Sequence, residues 1–251
     1  MNLEQISVFI ITKNEAQNLE RLLPLLAPFP EIVIVDSGST DATRDVAERF
    51  ANVRFIHQDW LGFSAQKDFA RRACSKPWVF NLDADETFDP ELLTILSQTV
   101  AQDDVAGLSV DCAEILLGKH IPHRLTDHRP KLRFFKRDRG HYPNAAVHEK
   151  IKLDGKTRHT KHRIYNWGSD LQTLLAKQNE YSRLAAEERV AKGKKTSLLK
   201  IVGKFPFAFF KYYVLKRHFL DGVPGFISAV NYAHYTFQKE AKIYAMTSDR
   251  D

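Results

Sequence analysis

The sequence predicts an α/β fold: a mostly parallel, doubly wound sheet followed by a helical tail. Three observations carry that prediction. Continuous apolar runs of strand length recur at Ile6–Thr12, Glu31–Val35, Val53–His57 and Trp78–Leu82, as strands covered on both faces require. Helical spacing separates them at Asn14–Leu26, Asp41–Phe50 and Phe63–Cys74, so strand and helix alternate as in right-handed βαβ units. Finally, two strands run straight into carboxylates, in VIVDSGSTD at Val33–Asp41 and in NLDADE at Asn81–Glu86. Sheets of this type bind their ligands just outside the carboxyl ends of the strands.

Each element has a local reason. Asp41 stands where an N-cap serves the second helix. Asp89-Pro90 opens another helix with proline at its first position. The texture then changes to strands at Val105–Cys112, Lys131–Phe135 and Val147–Leu153, the last closed by Asp154-Gly155. These form an antiparallel extension suited to a second substrate. Helical spacing returns over Asp170–Lys192, with Leu171, Leu174, Leu175, Tyr181 and Leu184 as its apolar face. From Gly193 to Tyr244, Lys194, Lys195, Lys200, Lys204, Lys211, Lys216 and Arg217 alternate with Phe205, Phe207, Phe209, Phe210, Tyr212, Tyr213 and Phe219. Cations beside a dense aromatic face suit an interfacial helix on an anionic bilayer, although packed helices with a solvated basic face share the pattern. The expected organisation is a catalytic domain over 1–165, comprising a nucleotide-binding half (1–100) and an acceptor-side extension (101–165). Residues 166–251 are the helical, membrane-associating segment.

Composition narrows the partners. With 37 Lys+Arg against 31 Asp+Glu the chain carries +6, which favours an anionic partner such as nucleic acid, anionic lipid or a phosphorylated glycan. The two cysteines, Cys74 and Cys112, lack the paired spacing of a zinc or redox motif and fit a reducing cytosol. The opening MNLEQISVFII enters a strand without the basic region or cleavage site of a signal peptide. Gly222–Gln238 contains Asn231, His234 and Gln238, which argues against a spanning helix.

The chemistry concentrates at the strand ends. Asp83 and Asp85 flank one alanine directly after a buried strand, and their hard oxygens suit Mg²⁺ or Mn²⁺, which complete their shells with water and phosphate oxygens. Two acids in a solvated turn is the bland alternative. Asp36 can accept a ribose hydroxyl or a base N–H at the mouth of the sheet, or simply shape the turn before Asp41. Thr12, Lys13 and Asn14 end the first strand beside the same crevice, with capping as an equal local account of Asn14. Gln66, Lys67, Arg71 and Arg72 precede the Asp83 strand; a basic residue there can reach a diphosphate or lie on a solvated face. His120, His123 and His128, with Arg124 and Arg129, form a basic loop without zinc-ligand spacing.

Three segments in order, ISVFIITKNEAQNLERLL, EIVIVDSGSTDATRDVAERF and WVFNLDADE, resemble the nucleotide-sugar domain of inverting family 2 glycosyltransferases, the GT-A (Rossmann-like) fold with a mixed sheet. The resemblance implies that Asp36 recognises the nucleoside, that Asp83 lies by the ribose and metal, and that Asp85 ligates the metal. Thr12-Lys13 departs from the commoner family form, which has a proline and an aromatic residue or threonine there. RFFKR at Arg133–Arg137, VHEKI at Val147–Ile151, LAKQNEYSRLAAEERVAKGKK at Leu175–Lys195 and the stretch Phe209–Tyr244 look like the bacterial lipopolysaccharide and lipooligosaccharide core glucosyltransferases that add β-1,4-glucose to the first heptose. By that likeness Arg133 binds phosphate, Glu149 is the base that deprotonates the acceptor hydroxyl, and His148 ligates the metal or contacts phosphate. Asp127 and Glu86 are rival bases.

The expectation is therefore a metal-dependent hexosyltransferase bound peripherally to the cytoplasmic face of the inner membrane, with UDP-glucose as donor and a lipid A-core acceptor. One rival transfers sugar to a polyprenyl phosphate. A second, from another class, is a basic nucleic-acid-binding protein, which leaves the strand-end carboxylates without a purpose; no nucleic-acid partner is expected.

Overall fold

The computed structural model describes residues 3–116, 119–120, 130–143, 151–167 and 171–248. In chain order the first elements are β1 (Ile6–Thr12), α1 (Ala16–Leu22), a 3₁₀ turn (Leu23–Leu26), β2 (Glu31–Asp36), α2 (Thr43–Ala47), β3 (Val53–His57), α3 (Phe63–Ala73) and β4 (Trp78–Asn81). Then come β5 (Glu86–Phe88), α4 (Leu92–Gln102), β6 (Gly107–Leu116), β7 (Lys119–His120), β8 (Lys131–Lys136), β9 (Gly140–His141), β10 (Lys152–Leu153) and β11 (Thr157–Asn166). The last helices are α5 (Leu171–Ala191), α6 (Leu198–Phe210) and α7 (Gly222–Ser248).

The described strands form a large sheet in the order β3-β2-β1-β4-β8-β6-β11-β5, with β7 paired to β6, and a separate two-stranded sheet of β10 and β9. β3, β2, β1 and β4 are parallel. β8 runs antiparallel between β4 and β6, which makes the sheet mixed. Because successive strand residues face opposite sides, the parallel strands feed two cores. Ile32, Ile34 and Phe80 pack with Leu19, Leu22, Leu92 and Leu96 under α1 and α4. Phe9, Val33, Val35 and Val79 pack with Ala70, Phe135 and Tyr142 under α3. Continuous apolar runs in the sequence are the trace of this double covering.

The helices are shorter than their sequence patterns. Pro24 tightens the end of the first into a 3₁₀ turn, and the second is confined to Thr43–Ala47 with Ala42 at its N-cap in place of the expected Asp41, which sits one residue earlier. The strand expected over Val147–Leu153 is described only at its end, Lys152–Leu153; residues 144–150 lie outside the description. Among the described strands β5, β7, β9 and β11 were not anticipated. β5 is only three residues long, and β11, TRHTKHRIYN, reads as polar although Ile164 is buried.

Two compact units divide the chain. One comprises Met1–Glu114 and Thr126–Trp167, the other Ile115–Leu125 and Gly168–Asp251. Within the second, the apolar face expected on α5 is solvent-facing: Leu171, Leu175, Tyr181 and Leu184 are exposed. Its buried residues include Ser182 and Ala186 instead, and Ser182 accepts from Lys242 Nζ of α7 at 2.8 Å. The corner into α7 explains the motif FLDG followed by Gly225. Gly222 has φ +62°, and a Cβ on Gly225 would stand 2.0 Å from the His218 carbonyl oxygen, so only glycine admits that approach.

The aromatic residues of this unit divide into two sets. Tyr212 stacks on Tyr232 at 4.5 Å, and Phe209 meets Phe226 edge-on, so these rings pack on one another, with Tyr232 and Phe226 each keeping one side in solvent. Leu199, Val202, Pro206, Phe210 and Val214, at helical spacing along α6 and the π-helical turn after it, are exposed. Lys200, Lys211 and Lys216 are exposed beside them, whereas Lys204 approaches the buried Glu240 at 3.9 Å. No described helix is long and apolar enough to cross a membrane.

Candidate active site

The strand ends open into a cleft of about 1180 Å³, lined from the β1–β3 side by Thr12, Lys13, Ser37, Trp60 and Phe63 and from the β4–β11 side by Asp83, Asp85, Arg133 and Asn166, with Lys67 also contributing. The register accounts for the second group. Phe80 pairs with Phe134 in the antiparallel β4–β8 ladder, so one step further Arg133 faces Asn81, and its Nη1 donates to Asn81 Oδ1 at 3.1 Å. Tyr142 donates to the same oxygen at 2.9 Å. Arg133 Nη2 then reaches Asp83 Oδ2 at 3.2 Å and Glu86 Oε1 at 2.5 Å. Glu86 closes the turn by accepting the Asp83 N–H at 2.9 Å.

Lys67 extends from α3 to the other oxygen of Asp83, 2.8 Å away. Asp83 thus lies between two cations. Burial opposes its charged form, but Arg133 and Lys67 outweigh that and hold the carboxyl well below the ordinary range. Burial, helped by the charges of Asp83 and Asp85, pushes Glu86 up in spite of Arg133. Burial lowers the guanidinium's proton affinity, yet Glu86 and Asp83 raise it further, so Arg133 is permanently charged. Its Nε is buried without a hydrogen-bond partner among the described residues.

Asp85 is differently placed. It is partly exposed, and its Oδ2 accepts from Asn166 Nδ2 at 3.1 Å. Asn166 ends β11 opposite Glu86 of β5, so these two strands hold Asn166 beside the Asp83–Asp85 turn. Among the described residues no three or more His, Cys, Asp or Glu side chains gather as a ready-made cage. A partly exposed carboxylate at the mouth of a wide cleft suits Mg²⁺ or Mn²⁺ better than a tight all-protein site would, since these ions keep waters and take phosphate oxygens.

The other anticipated residues fall into three groups. Thr12 lines the cleft, and Ser37 donates to its carbonyl. Asp36 and Asn14 do not line it and are occupied in the turn. Asp36 Oδ2 accepts Gly38 N and Ser39 N, both at 2.9 Å, and Ser39 Oγ bonds the other oxygen. Asn14 Oδ1 accepts Thr40 N at 2.8 Å, and Asn14 N donates to Ser39 Oγ at 2.8 Å. These bonds stitch the β1 and β2 loops together, the turn-shaping role the sequence also allowed. Arg71 bonds Asp68 and the Arg137 carbonyl instead of entering the cleft. Glu149, His148 and Asp127 lie outside the described residues.

A match to glycosyl transferase family 2 spans residues 7–151. The chain belongs to this family. The family 2 chain is 34% identical over 247 residues to the lipopolysaccharide core biosynthesis glycosyltransferase LpsC of Rhizobium meliloti (strain 1021), covering 95% of this chain and 92% of that protein. It is 29% identical over 259 residues to an uncharacterized glycosyltransferase of Rickettsia bellii (strain RML369-C), covering 96% and 86%. Among solved structures, S. aureus TarS 1–349 superposes with a TM-score of 0.51 at 16% identity, covering 98% and 92%, a likeness of fold alone. The anticipated α/β, mixed-sheet GT-A architecture and the family 2 glycosyltransferase assignment both hold.

Proposed function

We propose that this enzyme transfers glucose from UDP-glucose to the first heptose of a lipopolysaccharide or lipooligosaccharide inner core, forming a β-1,4 linkage with inversion. The observation that carries the core-biosynthesis reading is the near full-length similarity to LpsC. The sugar, acceptor and linkage rest on the resemblance in the C-terminal segments. TarS was also solved with UDP-GlcNAc, which agrees with a UDP-linked donor.

In this reading Asp85 holds the divalent ion, with Asp83 and His148 as further candidates. When bound there, such an ion would supply Lewis-acid stabilisation of the charge on a departing diphosphate. The chain's own residues prepare the site. Lys67 and Arg133 fix both oxygens of Asp83, so its carboxylate is locked in one rotamer beside the ribose. Thr12 lines the nucleoside end, with Asp36 and Asn14 shaping it through the stitched loops. Lys67 and Arg133 also put positive charge where a diphosphate arrives. Glu149 accepts the proton of the attacking hydroxyl.

The acceptor is membrane-anchored, and the exposed stripe Leu199, Val202, Phe210 and Val214, flanked by Lys200 and Lys211, supports peripheral binding to the cytoplasmic face of the inner membrane. Apolar side chains enter the interface and the lysines meet anionic headgroups. Incubating the protein with a panel of UDP-sugars and truncated core acceptors, followed by linkage analysis, tests the reading. The expected product is a β-1,4-glucosyl heptose formed only with divalent metal present. Transfer to polyprenyl phosphate, or from another sugar donor, would replace it. Glu149→Gln is expected to lower the rate roughly 10²–10⁴-fold while leaving donor affinity unchanged.

A further inference from the structure

We infer that Trp60 and Phe63 form the stacking platform for the base of the nucleoside diphosphate donor, an inference that rests on the nucleotide-sugar reading above. The two rings lie 4.7 Å apart at 87°, so the edge of one meets the face of the other. They are 48% and 59% exposed and both line the cleft. Two large aromatics left half in water beside a charged site are costly unless a flat apolar partner covers them.

The platform is built into the fold. Gly62, at φ +88°, turns the chain between the two rings. Gln66, fully buried in α3, accepts the Leu61 N–H at 3.3 Å and donates to the Gln58 carbonyl at 3.1 Å. One side chain therefore ties the loop carrying Trp60 to the helix carrying Phe63. Phe63 and Lys67 are four residues apart on α3, hence on one face, and Lys67 ends at Asp83.

Position selects the base as the occupant. Trp60 follows β3, Ser37 follows β2, Thr12 ends β1 and Asp83 follows β4, in sheet order β3-β2-β1-β4. Adjacent strands are ~4.8 Å apart, so β3 and β4 are roughly 14 Å apart. A nucleotide whose diphosphate lies at Asp85 extends its base toward the β3 side. The carboxylate best placed to read that base, Asp36, is 4% exposed and occupied by Gly38 and Ser39. What the cleft offers at that end is aromatic surface.

Calorimetric titration of UDP and, separately, of inorganic pyrophosphate into the whole protein with Mn²⁺ tests this. Stacking losses on alanine substitution predict that Trp60→Ala and Phe63→Ala weaken UDP roughly 5- to 150-fold, that Trp60→Phe retains most of the affinity, and that pyrophosphate affinity is unchanged. Melting temperatures should match the wild type, since both rings are half-exposed. UDP affinity unchanged in both alanine variants, or pyrophosphate affinity falling in parallel, overturns the inference, as does a rise in the acceptor KM alone. Wild-type protein that binds no UDP overturns the donor reading together with it; wild-type binding matched by the variants overturns only the platform.

Discussion

In the sheet-bearing unit the charges are inside: Arg133 is 4% exposed and Glu86 1% exposed, in a network with Asp83, Asn81 and Lys67. In the helical unit the apolar side chains are outside: Leu199 is 86% exposed and Leu198 75%. Each arrangement costs stability by itself. Burying ions costs several kcal/mol per ion that pairing only partly returns, and exposed apolar surface forfeits about 25 cal/mol per Å² of burial. The contrast separates two kinds of function. The first unit uses buried charge to fix the position of one carboxylate, Asp83, beside another, Asp85, that faces the cleft. The second carries exposed apolar surface, which in the proposed reading meets the membrane.

The sharpest way to break the first half of the comparison is at Asp85. Metal-based charge stabilisation contributes several kcal/mol, so Asp85→Asn is expected to cost roughly 10³-fold or more in turnover with an unchanged melting temperature. Full activity in that variant, or in wild-type protein treated with EDTA, would remove the metal from the mechanism. Arg133→Met tests the charge network as architecture. It strands Glu86 and leaves Asp83 with Lys67 alone, and breaking a buried pair from one side costs about 3–5 kcal/mol. Chemical denaturation should register that loss. A loss under about 1 kcal/mol would mean the cluster is solvated and Arg133 is available for phosphate after all.

The second half of the comparison is sharpened by choosing the right lysines. Lys200, Lys211 and Lys216 are exposed, whereas Lys204 lies toward Glu240. Changing the three exposed ones to glutamate should release the protein from vesicles containing anionic lipid, since each contributes about 1 kcal/mol near such a surface. Transfer to a soluble, delipidated acceptor should continue. Vesicle binding that survives the triple change would show that charge plays no part in docking. Loss of activity on both acceptors with a lower melting temperature would make these helices structural.

Much of the sheet-bearing unit was legible because its signals are local. Apolar runs covered on both faces, such as Val33–Val35, have no plausible home but a buried strand, and Asp83 and Asp85 follow one directly. What escaped the sequence depends on partners far along the chain. β11 reads as polar because only one of its faces meets the core, and the partners of Arg133 in Asn81, Asp83 and Glu86 appear only once the β4–β8 register sets it opposite Asn81. For Asp36 and Asn14 the sequence allowed either a ligand contact or a turn role, and the bonds between the β1 and β2 loops supply the turn role. The Trp60–Phe63 pair had a detectable signal, two aromatics around a glycine just before a helix, but one that turns share. On α5 the pattern misled outright: leucines at helical spacing suggested a core, and Ser182 and Ala186 are buried instead.

The smallest expected effect lies at the stitch between the β1 and β2 loops, and it tests whether that platform is rigid enough to hold the cleft's nucleoside end. Asp41 serves two helices. Its Oδ1 accepts the Thr43 N–H at 3.0 Å at the start of α2, and its Oδ2 accepts the Ala16 N–H at 3.3 Å at the start of α1. Thr43, fully buried, completes the join by accepting the Glu15 N–H at 2.8 Å. Slight desolvation raises the Asp41 pKa, but the bonds from Thr43 and Ala16 outweigh it and lower the net value. A carboxyl with a depressed folded pKa stabilises the protein above its unfolded value, near 3.8, and that contribution disappears as pH falls through the lower folded value. Asp41→Ala should cost about 1 kcal/mol at neutral pH, the usual net value of a hydrogen bond, and the gap from wild type should narrow on acidification below pH ~4. Asp41→Asn keeps an acceptor oxygen and should lose less. An alanine variant as stable as wild type at neutral pH would show that Asn14, Ser39 and Thr40 hold the two loops together without Asp41.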